Sequence, residues 1–181
     1  MRVLIACEFS GIVREAFKKH GHDAWSCDLL PSEIPGQHIQ DDVLKHLNDG
    51  WDMMIAHPPC TYLCSSGARW WKDRMHEQNK GMEFFYAFTD SEIQKVCIEN
   101  SIGIMSTDFK KPDQIIQPWQ FGTGETKATC LWLKGLPKLQ STTIVDGRKP
   151  VIHYMCPGKD RWKNRSRTYQ GIADAMAQQW G

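Results

Sequence analysis

Two consecutive prolines, Pro58 and Pro59, constrain this chain more than any other feature. Each fixes φ and lacks an N–H donor, so no sheet ladder continues through them. The apolar run 52–56 before them therefore reads as a short strand that starts after Gly50 and ends near His57. The prolines stiffen the loop beyond it and present Cys60 at a strand's carboxyl end, where open α/β sheets place their ligands. A rigid loop carrying one thiol suits a nucleophile. The alternative is a small buried cysteine after an ordinary turn.

Similar strand ends recur along the chain. Residues 2–7 form a compact apolar strand, 8–11 a turn, and 12–20 a helix with Ile12, Val13, Ala16 and Phe17 on one face. Gly21 stops that helix, and 23–27 is a second strand ending at Asp28, which completes a βαβ unit and predicts a mostly parallel sheet. Residues 31–40 read as loop, and 42–44 as a brief third strand followed by a short helix. After Cys60, the pattern predicts a long helix over 70–88 with Met75, Met82, Phe85 and Phe88 facing the core. A strand over 95–98 then ends in Glu99-Asn100. Ordered loop is expected over 101–124, a strand over 128–133, a further strand at 151–155, and a closing helix over 171–180.

The 181 residues suit one α/β domain with a full core, covering 1–181 without a second module. Composition is that of an ordinary soluble chain, 41% hydrophobic and 24% charged. The formal net charge of +1 means that any basic contact surface must be local. Seven cysteines without a repeated spacing point to reduced thiols in a cytoplasmic setting, and the close pair Cys60 and Cys64 lacks a second pair for structural zinc. No metal is expected. Neither a signal peptide nor an apolar run of membrane-spanning length is visible.

The turn Glu8-Phe9-Ser10-Gly11 joins the first strand to its helix, where backbone N–H groups can meet an anionic ligand. Asp28, at the end of the second strand, is placed to accept ribose hydroxyls, and Asp42 is a third polar group on the same sheet edge. Glu99 ends a neighbouring strand, within reach of whatever Cys60 attacks. A carboxylic acid near a thiolate nucleophile suits protonation of a ring nitrogen during nucleophilic addition.

Phe-Ser-Gly, an acid after strand two, an acid after strand three, Pro-Pro-Cys and Glu-Asn follow one another in order. This resembles the catalytic half of the cytosine-C5 DNA methyltransferases, especially the short versions carried by phages and prophages, from Arg2 to about Leu133. The resemblance implies a Rossmann-like S-adenosylmethionine-dependent methyltransferase fold and a cytoplasmic protein of an infected or lysogenic bacterium. Glu8, Phe9, Ser10, Gly11, Asp28 with Leu29, Asp42 with Val43, and Pro58 would line the cofactor site. Cys60, following Pro59, would add to C6 of cytosine, with Glu99 and Asn100 holding the base and Lys127 standing where the family keeps a cationic strand.

Val13 and Arg14 replace the family's further glycines in the first turn. The interval 134–167 leaves no room for a large target-recognition domain. Contact with DNA, flipped or single-stranded, would then fall to Lys159, Arg161, Trp162, Lys163, Arg165 and Arg167, and to Arg69-Trp70 after the nucleophile loop. Two other readings remain open: an enzyme acting on a cytosine nucleotide, and a non-catalytic module with the same fold.

Overall fold

The computed structural model describes all 181 residues. Its centre is a seven-stranded sheet of order β3-β2-β1-β4-β5-β7-β6. The strands are β1 (Arg2–Ala6), β2 (Asp23–Asp28), β3 (His38–Gln40), β4 (Met53–Ala56), β5 (Lys95–Ser101), β6 (Gln114–Ile116) and β7 (Thr129–Lys134). β7 pairs antiparallel with both β5 and β6, and every other pairing is parallel, so β7 alone runs against the rest. The fold is a Rossmann-like α/β fold. Its order reverses between β1 and β4, which opens a crevice at their carboxyl ends.

Alternation along β1 explains why the sheet is covered on both faces. Val3 and Ile5 join one apolar cluster with Val13, Phe17, Ile172 and Met176, from helices α1 (Ile12–Lys19) and α6 (Gln170–Trp180). Leu4 and Ala6 join the other with Phe85 and Phe88 of α2 (Met75–Thr89). A strand buried on both sides needs a continuous apolar run, and residues 3–6 supply it. Short helices α3 (Met105–Asp108), α4 (Val151–Tyr154) and α5 (Arg161–Ser166) complete the chain.

The loop 57–64 is fastened to the chain beyond β5. Asn100 Nδ2 donates to Pro58 O at 2.8 Å, Ser65 N to Ile102 O at 3.0 Å, and Ile104 N to Leu63 O at 2.8 Å. A Cβ on Gly103 would lie 1.9 Å from Leu63 O, so only glycine permits this approach.

Several expectations change. The third strand lies at 38–40, not 42–44; Asp42 instead caps a 3-10 turn (Val43–His46) by accepting from Leu44 N at 3.0 Å. The helix expected from residue 70 begins at Met75, after a 3-10 segment (Ser65–Arg74), and Met75 is exposed. Glu99 and Asn100 lie inside β5 rather than after it. Residues 101–124 hold α3 and β6, and 151–154 is helical because Pro150 starts a turn there instead of a ladder.

Gly103→Ala should lower stability by about 1–3 kcal/mol or more through overpacking, read as a fall in melting temperature of several degrees. A variant melting with the wild type would show that the loop can leave the 102–104 segment without cost.

Candidate active site

Parallel pairing of β4 with β5 sets Ala56 beside Ile98, which brings His57 and Glu99 together one residue further on. His57 Nδ1 lies 2.9 Å from Glu99 Oε2, and the His57 side chain is 7% exposed. Burial by itself would raise the Glu99 pKa. The His57 hydrogen bond, joined by the charge of Lys127, outweighs it and holds the carboxyl below its ordinary value.

Cys60 begins one helical turn: Cys64 N donates to Cys60 O at 2.9 Å, which puts the two thiols on one face. Their mutual hydrogen bond is the largest influence on both. It raises Cys60, and burial and the nearby Glu99 charge add to the effect, while Ser101 opposes it. It lowers Cys64 to about 5 against the pull of burial, helped by the Ser66 hydroxyl, the Gly67 amide and the charge of Arg165. Cys64 Sγ is 3.1 Å from Ser66 Oγ. The two thiols thus bear on one another's titration, with Cys64 the more readily ionised of the two. The Arg69 guanidinium lies over its neighbour Trp70, 5.0 Å from the ring centre.

The structure thus brings Cys60 and Glu99 to one place, with Ser101 on the same face of β5 as Glu99. Asn100 points the other way and clamps Pro58, so it positions the loop rather than facing a base. Pro59 is exposed at the mouth. Lys127 precedes β7; its ammonium donates to Arg165 O at 3.0 Å and its charge acts on Glu99. His57, Cys64 and Ser101 escaped the sequence reading. A histidine directly before a strand-ending Pro-Pro pair was the available signal for the first.

The first βα turn works differently from the expectation. Glu8 is buried, and its carboxylate accepts from Val13 N at 2.7 Å, Arg14 N at 3.2 Å and Ser10 Oγ at 3.0 Å. Ser10 Oγ also accepts from Ile12 N at 3.3 Å. The chain's own acid occupies the helix amides that an anionic ligand would use, so neither Glu8 nor Ser10 is free to bind one. Gly11 has φ 74°, and a Cβ there would come 2.8 Å from the Arg14 guanidinium. Arg14 is fully buried and binds Ser26 Oγ, Ser32 Oγ and Ile34 O at 2.7–3.0 Å, fixing the loop after β2.

Asp28 and Asp42 flank the crevice together with Cys7, whose thiol is raised by burial and by both carboxylates. Asp28 is half-buried, which raises its pKa despite hydrogen bonds from the Leu30 and Leu29 amides. Leu29 is 73% exposed beside it. Val43 is buried in the core with Leu47 and Trp51, which removes its side chain from any ligand.

The basic segment 159–167 crosses the crevice as α5. Trp162, 53% exposed, packs on Phe9 with ring centroids 6.0 Å apart. Arg167 is bidentate to Glu33 at 2.6 and 2.9 Å, and Arg161 Nε donates to Met155 O at 2.9 Å. These two arginines are engaged within the chain. Lys159 is exposed, and Lys163 lies 5.6 Å from the Trp162 ring centre.

No protein-family model and no curated protein matches the chain. Among solved structures it is similar to a mutant of DNMT2 from Spodoptera frugiperda, with 13% identity, a TM-score of 0.48, and coverage of 82% of this chain and 55% of that one. The chain thus spans about half the length of that protein.

Because burial raises Asp28, ionising it disfavours the folded state: stability is greatest below the unfolded carboxylate value of about 3.9 and declines as pH climbs through the raised folded value. Asp28→Asn should melt at or above the wild-type temperature at about pH 7 and gain less on acidification to roughly pH 4. Calorimetry across that range checks this; a variant that melts lower at neutral pH would mean Asp28 is structural.

Proposed function

We propose that this protein transfers a methyl group from S-adenosylmethionine to C5 of a cytosine ring in DNA. The observation that carries the reading is the approach of the loop after β4, which bears Cys60, to Glu99 in the adjacent strand β5, beside the carboxyl ends where the sheet order reverses. A thiol and a carboxyl so placed can attack and hold the two sides of one pyrimidine.

Asp28 and Asp42 accept hydrogen bonds from backbone amides, with His38 near the first and Lys45 near the second, and their remaining acceptor capacity suits a hydroxyl-bearing ligand. The residues fit S-adenosylmethionine on its ribose side, while the Glu8-capped helix does not receive its carboxylate. When bound, the cofactor supplies an electrophilic methyl group. Cys60 Sγ adds to C6 and passes its proton to the Cys64 sulfur, which leaves C5 electron-rich. Glu99 accepts from the exocyclic amine and so orients the ring as charge develops on it. Transfer of the C5 proton to solvent water then expels Cys60, which recovers its proton from Cys64.

A cytosine nucleotide is the second reading, favoured by the internal pairing of Arg161 and Arg167, which reduces the cationic surface left for a polynucleotide. No helix is long and apolar enough to cross a membrane.

Cys60→Ser should lower labelled-methyl incorporation into cytosine by on the order of 10³-fold or more while leaving S-adenosylmethionine binding intact by calorimetry. Duplex DNA, single strands and free nucleotides offered in parallel separate the two substrates. Undiminished incorporation by the serine variant would dismiss Cys60 as nucleophile. No heat of cofactor binding by the wild type would leave a non-catalytic module.

A further inference from the structure

His57 occupies a position for which a scaffold alone has no need. It ends β4, and its backbone N donates to Ala6 O at 2.9 Å, so the main chain there is already satisfied. Its side chain contributes one contact, Nδ1 to Glu99 Oε2 at 2.9 Å, while Nε2 is buried with no partner. A burial of this kind leaves one polar atom unpaired for the sake of the other.

The unpaired Nε2 indicates which proton arrangement is present. Were Glu99 the donor to Nδ1, the imidazole proton would sit on Nε2 as a buried N–H without an acceptor. A doubly protonated ring would bury the same orphan on a cation. Unpaired buried N–H groups are rarer than under-satisfied acceptors, so Nδ1–H donates and Nε2 carries the bare lone pair. Glu99 then presents Oε1 as an acceptor. The other groups acting on Glu99 are Lys127, before β7, which also favours its ionised form, and the thiols of Cys60, Cys97 and Cys130, each raised by the Glu99 charge.

We infer that His57 is a positioning residue: it locks one oxygen of Glu99 and leaves the other as an acceptor for an exocyclic amine, so the site selects an aminopyrimidine over a keto one. This deepens the proposed function and rests on it for the identity of the ring. An acceptor oxygen receives the N4 amine of cytosine and faces the O4 of uracil lone pair to lone pair. Without His57, burial dominates at Glu99, the carboxyl takes up a proton, and a neutral acid donates to O4 as readily as it accepts from N4.

The test uses the full chain with ¹³C-carboxyl glutamate, the Glu99 resonance being assigned by its loss in Glu99→Gln. His57→Phe removes the donor, His57→Gln carries an amide one bond further out, and His57→Asn keeps an N–H near the Nδ1 position. The wild type and His57→Asn should titrate Glu99 below the ordinary glutamate range. His57→Phe and His57→Gln should move it upward by about one unit or more; either one, if it folds, suffices. An unmoved titration overturns the inference whatever the activity.

In parallel, fluorescence anisotropy compares oligonucleotides that differ only in one cytosine or uracil. The wild type should prefer cytosine by about tenfold or more, and His57→Phe or His57→Gln should lose most of that ratio. An unchanged ratio overturns the selective role. If the wild type binds neither oligonucleotide while the titration shifts as stated, the cytosine reading falls with the selectivity, and the His57–Glu99 couple stands.

Discussion

The site depends on backbone held close to backbone. Segment 57–64 carries the thiol, and it is anchored to β5 by the Asn100 side chain on Pro58 O and to the strand's continuation by the Leu63–Ile104 and Ile102–Ser65 hydrogen bonds. Gly103 makes the approach possible by having no side chain. Two prolines remove freedom from one end of the loop and a helical turn removes it from the other. Their combined effect is to limit the conformational freedom of the loop that bears Cys60, beside the strand that bears Glu99 and Ser101.

The first turn shows how the same fold can satisfy its helix in two ways. A helix N-terminus needs acceptors, and a glycine-rich turn leaves them to a ligand. Here Glu8 and Ser10 provide them, and buried Arg14 braces the following loop through Ser26, Ser32 and Ile34. The crevice's remaining acids, Asp28 and Asp42, accept hydrogen bonds from backbone amides and keep further acceptor capacity.

Much of this was legible in the residues because strand ends announce themselves. β1, β2 and β4 follow from short apolar runs closed by Gly, Asp or Pro, and α1 from its spacing and Gly21. The meeting of Cys60 with Glu99 follows once β4 and β5 are neighbours. Elements made by long-range pairing were not legible. β3 and β6 are three residues each and take their shape from β2 and β7, so their own sequences carry little pattern. The burial of Arg14 was hidden for a similar reason: its acceptors are hydroxyls and carbonyls many residues away. His57 was read only as the end of a strand, because its role is created by the strand beside it.

Helix α5 touches both ends of the crevice at once. Trp162 rests on Phe9 near Glu8, Arg167 reaches Glu33 in the loop after β2, and the Arg165 carbonyl holds Lys127, which acts on Glu99. A six-residue helix moves as one body. The cover on Phe9 and the carbonyl that holds Lys127 thus belong to one short stretch of chain, so a substitution within α5 bears on both ends together.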